Sequence, residues 1–530
     1  MIRWISLLTI LFLAAGCRSE ANEAGSMVEA GSSIRAGGSI EAGSSTIEAG
    51  STILRPRGLP IPGARARLPE LREPPPVATW DPAQGVFSPR VVTLLALRKD
   101  LEDAKRQLDE LRTHQVPLSE EHRQASRALA GRVELSRELT DEGTAYTTAT
   151  IDRAGDEFRK AIPELKKLDN LRTVAFRIDN LGEDDEPLTD ELSLLAQLPD
   201  LRELRFEYCK ISPQGYEYLG DLGRLREIAF NNCPIDDEDL AFLRDLPELR
   251  AVHFRNPAGG KITDAGMNHL ASLSKLESVV LDDLDINDEG IAFLKECKHL
   301  RRLTISSQSV TEDRLADVLN EGGRSNLEVL EVYLGEITDA FPSRLGALPA
   351  LQRLSIGPNQ LTNRGIEAFQ FTASPRLEEL DIGRFQSKTP PTSECLQHLA
   401  TNRALRILRL ELDELPSSNL RYISRLRELR ILSLGKLTLD STAVSYLSQL
   451  PHLDELTIEQ VELSYADRGT LQYLPRLQAV WISGFDVNND ELLALQALPS
   501  LRKLGFWGDH ETPSDEVRAR LAHVQLRIFE

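Results

Sequence analysis

In Leu246-Pro-Glu-Leu249-Arg-Ala-Val252-His-Phe254, apolar residues fall three, three and two positions apart, with polar residues mostly between them. The closing alternation predicts a short strand that turns one face inward. Ile262-Thr-Asp-Ala-Gly-Met267-Asn-His-Leu270 follows: a core Ile, a Thr suited to capping, then an amphipathic turn of helix. The same unit returns with leucines at 171, 201, 225, 249, 276, 300, 327, 351, 377, 405, 429, 453, 477 and 501. Most of these leucines stand 24 residues apart, and the exceptions run from 26 to 30.

Each unit carries its own start and stop chemistry. Leu201-Arg-Glu-Leu204-Arg-Phe206 predicts a strand, and Ser212-Pro213 a helix start with proline at its first position. Equivalent caps are Asp236, Thr263, Asn287, Thr311, Thr338, Thr362, Asp440, Ser464 and Asn488. Prolines 199, 247, 349, 451, 475 and 499 stop the helices before the next strand. A 24-residue period with this L-x-x-L-x-L frame resembles the leucine-rich repeat superfamily, ribonuclease-inhibitor-like and bacterial, over about residues 168–530. The resemblance implies an α/β solenoid: a curved parallel sheet with short helices on its convex side. One such unit cannot bury a core alone, so the array must be continuous.

Eight residues after the marker leucine the superfamily usually carries Asn or Cys. Here Cys209, Cys233 and Asn359 fit, whereas Leu284, Leu437, Val461 and Phe485 do not. Apolar packing is therefore expected to replace a continuous polar ladder in places. Cys209 and Cys233 fall on adjacent coils about 5 Å apart. That spacing admits a disulfide, but buried free thiols are the expectation.

Upstream, Leu94, Leu97, Leu101, Ala104, Leu108 and Leu111 form a heptad seam flanked by Arg98, Lys105 and Arg112. Gln115-Val-Pro117 breaks it, and Ser119 is placed to cap a second helix running to about Leu139. Two arrangements fit residues 90–168: a parallel coiled coil over 91–114 that dimerises the chain, or a helical hairpin that caps the repeat domain at 169–530.

The first residues read differently. Arg3 precedes an apolar run from Ile5 to Ala15, which is short for a bilayer span and suits a signal-peptide core. Leu13-Ala-Ala-Gly-Cys17 resembles the lipobox of bacterial lipoproteins, which implies a signal peptide at 1–16 and a lipid-modified Cys17. Residues 17–89 read as a tether, rich in Glu-Ala-Gly-Ser and then in proline. A flexible coil of that length has a root-mean-square span of roughly 45–50 Å.

A formal charge of −20 argues against nucleic acid as a partner. The chain has no H-E-x-x-H, G-x-S-x-G, Walker or paired C-x-x-C motif, so we expect neither an enzyme nor a cofactor or metal. The acid runs Glu183–Glu186 and Asp282-Asp283 lack calcium-loop spacing and read as solvated surface. Function is then expected on strand positions that alternate with the core set. The candidate partner-binding side chains are Tyr208, His253, Arg255, Tyr333, Arg353, Arg409, Trp481, Lys503 and Trp507. Loop insertions at 182–187, 256–261 and 386–394 share one rim. The expected function is an envelope-anchored lipoprotein scaffold that binds another protein through the concave face and rim loops. An inhibitor or regulator of an enzyme, or a spacer without a specific ligand, are the alternatives.

Overall fold

A computed structural model describes residues 118–139, 144–152, 155–178, 186–257, 260–322, 324–383, 385–462, 470–483, 495–507 and 514–529, with the short ladder 80–81/86–87. Cys17, the tether apart from that ladder, the heptad seam and the caps Ser464 and Asn488 lie outside the described residues. No helix among the described residues is long and apolar enough to cross a membrane.

The chain enters through helix α1 (Glu120–Leu129), hairpin strands β1 (Glu134–Leu139) and β2 (Ala145–Ile151), and helix α2 (Asp156–Leu165). Fifteen strands follow. They are β3 (Leu171–Arg177), β4 (Glu203–Glu207), β5 (Glu227–Asn231), β6 (Ala251–Arg255) and β7 (Ser278–Asp282). Next come β8 (Arg302–Ser307), β9 (Val329–Leu334), β10 (Arg353–Ile356), β11 (Glu379–Ile382) and β12 (Ile407–Leu410). The last are β13 (Ile431–Thr438), β14 (Glu455–Glu462), β15 (Ala479–Ser483), β16 (Lys503–Trp507) and β17 (Gln525–Phe529). Every pairing from β2 onward is parallel and between chain neighbours, and only β1 runs antiparallel. Among the described residues β1 pairs only with β2, and β17 only with β16, so the sheet is open.

All fourteen marker leucines are buried. In β4, Leu204 and Phe206 point into the core while Arg205 points out, as the alternation requires. Short α- or 3-10 helices cover the core on the other side; Pro213–Gly220 and Glu312–Glu321 are two of them. Ser212, Thr263, Thr311, Thr362 and Asp440 cap their helices by accepting a backbone N–H, as expected from the sequence.

The segment after Ser119 departs from expectation. Ser119 caps α1, but the helix stops at Leu129 instead of running to Leu139. Gly131 takes φ 78°, and the chain then turns into the β-hairpin, so Leu135 lies in a strand. The repeat sheet is therefore extended by an α–β–β–α unit. Ser119 donates from N and Oγ to the two Asp169 carboxylate oxygens, both at 2.8 Å, which fixes α1 to the first repeat. A strand beyond the last marker, β17, also went unanticipated, as did the helix Asp515–Arg520 capped by Ser514.

One device that joins the coils was only half visible in the pattern. From Asp237 to Thr392, the residue after a cap position reaches forward to the cap position of the next coil. The Asp237 carboxylate accepts from Thr263 N and Oγ1 at 2.7 and 2.5 Å, and Asp288 from Thr311 at 2.7 and 2.8 Å. Glu312 does the same for Thr338, both at 2.6 Å, and Asp339 for Thr362 at 2.8 and 2.6 Å. Asp264 accepts from Asn287 N at 2.8 Å, and Asn363 from Thr392 N at 2.9 Å, so the ladder runs unbroken from Asp237 to Thr392. Gly266, Gly290 and Gly365 sit where a Cβ would strike these acceptor oxygens.

Candidate functional site

The parallel register lines the outward side chains of the sheet into rows. Arg205, Ala229, His253, Val280 and Thr304 follow one another across β4 to β8. The row continues through Glu331, Ser355, Asp381 and Arg409 to Ser433, Thr457, Trp481 and Gly505. Eight of the nine candidate side chains belong to strands of this sheet. Tyr208 does not; it follows β4 in the turn with φ 54°, in the left-handed region. Asn232, Asn256 and Asp283 take that same turn position on the next three coils. A short polar side chain suits this backbone better than a tyrosine does.

Over β4 to β7 the face is partly closed: Arg205 lies 3.3 Å from both Glu203 and Glu227, and small apolar residues fill the middle. Ala229, Ala251 and Val280 point outward yet are buried. His253 lies among them, half-buried, with Nε2 3.1 Å from Ser278 Oγ. Burial, then the charges of Arg255, Arg205 and Arg302, push its pKa down to about 4, so it is neutral at physiological pH. Arg255 lies 3.8 Å from Asp282.

Over β9 to β12 the face is charged and uneven. Arg353 Nε donates to Glu379 Oε2 at 2.8 Å, and Arg409 Nη1 donates to Glu379 Oε1 at 2.9 Å. One carboxylate thus holds two guanidiniums in place, and charge-assisted bonds of this length are firm. Glu331 lies 3.6 Å from Arg353, and Asp381 lies 3.5 Å from Arg409. Burial raises the Asp381 pKa above the usual carboxylate range, against the pull of Arg409. Tyr333 is 37% exposed, and its hydroxyl meets Ser355 Oγ at 3.0 Å. Its ring covers Gly357, where a Cβ would lie 2.5 Å from Cδ1. Beside it is a depression of about 200 Å³ lined by Tyr333, Ser355, Gly357, Asp381, Gly383 and Glu411, among others.

Toward the end of the array, the Trp481 ring lies over Gly505 on the next strand, so it rests on bare backbone. Lys503 is half-buried in β16, and the Trp507 side chain lies outside the described residues. The structure thus brings Tyr333, Arg353 and Arg409 together, places His253 with Arg255, and sets Trp481 and Lys503 apart from both groups. Sequence reasoning missed the acids that organise the central group: Glu331, Glu379, Asp381 and Glu411. It also missed Gly357 and Gly383. Both follow the last core residue of their strand, a position the repeat frame marks.

The two cysteines on adjacent coils are free thiols in contact. Cys209 N donates to Cys233 Sγ at 3.4 Å, and the hydrogen bond to Cys233 together with burial pushes the Cys209 thiol well up. Asn359, the fitting Asn, donates to the Gly357 and Gly383 carbonyls and accepts from Leu361 N. Among the described residues no three His, Cys, Asp or Glu side chains converge on a metal-sized site.

A parallel sheet built on the L-x-x-L-x-L frame, with one short helical segment behind most of its strands, defines a leucine-rich-repeat solenoid. No family model matches the chain, and no curated protein matches it. Among solved structures, an internalin (inlF) from Listeria monocytogenes is similar over 70% of this chain and 93% of its own, at 17% identity and a TM-score of 0.43. TLR13 in its complex with ssRNA13 is similar over 68% of this chain and 61% of its own, at 14% identity and a TM-score of 0.35.

Proposed function

We propose that this protein is a binding scaffold, anchored to a bacterial envelope through Cys17, that docks a partner protein on the outer face of β9 to β12. The observation that carries the reading is the group around Glu379. There two arginines and an exposed tyrosine are held in fixed geometry beside an open depression. Exposed Tyr and Arg in pre-ordered positions are the side chains that dominate protein interfaces. The loop insertion at 386–394, which follows β11, adds a second contact zone beside this face. The lipobox supplies the anchor, and the tether holds the face away from the lipid.

The test places a photo-crosslinking residue at Ser355 on this face, and at Glu367 on the helix side as a control. Capture of one protein in the native envelope from position 355 and not from 367 is expected. Equal capture from both positions, or none, overturns the docking face. Palmitate incorporation is expected to vanish in Cys17→Ser, and labelling that survives this change removes the anchor.

A further inference from the structure

The helix side of the coils that carry β12 to β14 runs against the formal charge of −20 of the whole chain. Arg403, Arg421, Arg425 and Arg427 are exposed there. Among the described residues none of these four has a carboxylate in ion-pair reach, whereas Arg344, Arg353, Arg406 and Arg409 all do. Arg421 and Arg425 are gathered on one ring. The Arg421 Cζ lies 4.7 Å from the Tyr422 centroid, and its Nη2 donates to the phenol oxygen at 2.9 Å. The Arg425 Cζ lies 5.8 Å from the same centroid. Arg427 Nη1 donates to the Gln449 carbonyl on the next coil.

Little acid stands against them. Glu394 and Glu428 are exposed on this side and are in no ion pair, and the Asp440 carboxylate is taken up by Ala443 N. Asp413 and Glu414 belong to the loop that leaves β12. The helix Ser441–Leu447 and the turn after it bring no further charge as far as Pro451. A phenol ring holds guanidiniums without neutralising them, so their charge stays available to an outside anion. Tyr422 and Tyr446 take the same position on consecutive coils, and both pack against the core. Tyrosines with an apolar body and a polar tip suit a lipid–water boundary, and guanidinium forks suit phosphate oxygens.

We infer that this side of the array rests on an anionic lipid surface, with Arg421 and Arg425 on headgroup phosphates and Tyr422 and Tyr446 at the boundary. The inference rests on the anchor proposed above, which keeps lipid within reach, and adds an orientation to it. The outer sheet face of the same coils is then turned away from the lipid and toward a partner. Each guanidinium near an anionic leaflet strengthens such a contact by roughly fivefold.

The full chain, isolated from its native envelope, carries a fluorophore at Ser445→Cys on the helix side or at Ser433→Cys on the sheet face. Cys209, Cys233, Cys297 and Cys395 are buried, which directs the label to the new thiol. The protein is placed on phosphatidylcholine vesicles with a headgroup quencher, with and without phosphatidylglycerol. Quenching at 445 is expected to rise with phosphatidylglycerol and to fall with added salt, while 433 stays unquenched. Arg421→Gln with Arg425→Gln changes only exposed side chains, and should lower the ratio of resting to free domains by about tenfold or more. Quenching at 445 that ignores phosphatidylglycerol, equal quenching at both positions, or an unchanged ratio in the double variant overturns the lipid surface. Shielding of the 445 label by a polyglutamate peptide, with no response to phosphatidylglycerol, would assign the patch to an acidic protein instead. Flotation on phosphatidylcholine alone reads the anchor separately. A chain that fails to float there, yet is quenched at 445 on phosphatidylglycerol, loses its anchor and keeps this surface. One that floats without quenching does the reverse.

Discussion

The coils before β7 and those from β7 onward are held together differently. Before it, Phe158, Phe176, Phe206, Phe230 and Phe254 form a continuous aromatic column with centroids 5.1–5.9 Å apart, the last four rings stacked nearly parallel. From β7 onward the same core position carries Leu281, Ile305, Val332, Ile356 and Ile382, and the carboxylate–cap ladder, which begins within the aromatic stretch at Asp237, ties successive coils as far as Thr392. The aromatic stretch has an outer face closed in part by Ala229, Ala251 and Val280, beside the paired Arg205, Glu203 and Glu227. The laddered stretch has the charged face and the depression. Stability in one region comes from ring packing. In the other it is shared with polar contacts on the helix side, which leaves the sheet face available for recognition.

The largest effect tests the aromatic column. Phe230→Ala removes a ring that packs against three others, and a loss of about 3–5 kcal/mol is expected. Hydrogen exchange should show the loss concentrated in β4 to β6, with β11 and β12 barely changed. A uniform loss would mean that the two regions unfold as one.

His253 gives the aromatic region a pH dependence of its own. Its folded pKa of about 4 lies below its unfolded value of 6.5. The unfolded chain therefore takes up the proton first as pH falls. Stability is full above about 6.5 and declines toward pH 4, by roughly 3 kcal/mol. His253→Gln should flatten that window in unfolding curves recorded from pH 7 to 4. An unchanged slope would show that the imidazole is not the group responsible.

The ladder is tested next. Asp339→Ala leaves Thr362 N and Oγ1 without their acceptor and should cost about 1–3 kcal/mol. Exchange of amides in Asn363–Ala368 is expected to rise more than exchange in β10. If both rise equally, the bond serves the whole coil and not its cap.

The smallest effect has the opposite sign. Tyr208→Asn matches the residue that occupies this left-handed turn at Asn232 and Asn256, and a gain of about 1 kcal/mol is expected in thermal unfolding. Unchanged capture at the Ser355 crosslinking site would also place Tyr208 outside the binding face. Reduced capture would return it there.

Much of this was legible beforehand because the repeat frame is enforced by burial. Leu249, Val252 and Phe254 announce their own strand, and Thr263 its helix. The ends were harder to read. Val133 and Leu135 continue a spacing compatible with a helix, and only the backbone turn at Gly131 shows that the chain leaves it. The face was legible as positions but not as partnerships. Arg353 and Arg409 are 56 residues apart, and their common acceptor, Glu379, becomes visible only in the register. The ladder hid for the same reason. Asp237 and Asp339 resemble solvated first-turn acids until the neighbouring coil is set beside them.

That ladder bears on how such a chain changes length over generations. Asp264 does for Asn287 what Asp237 does for Thr263, so coils from Asp237 to Thr392 carry matching plugs and sockets. A gene segment cut from one cap to the next can be lost or copied, and the new neighbours still join. A segment whose two ends fall at different phases leaves one carboxylate with no cap to meet.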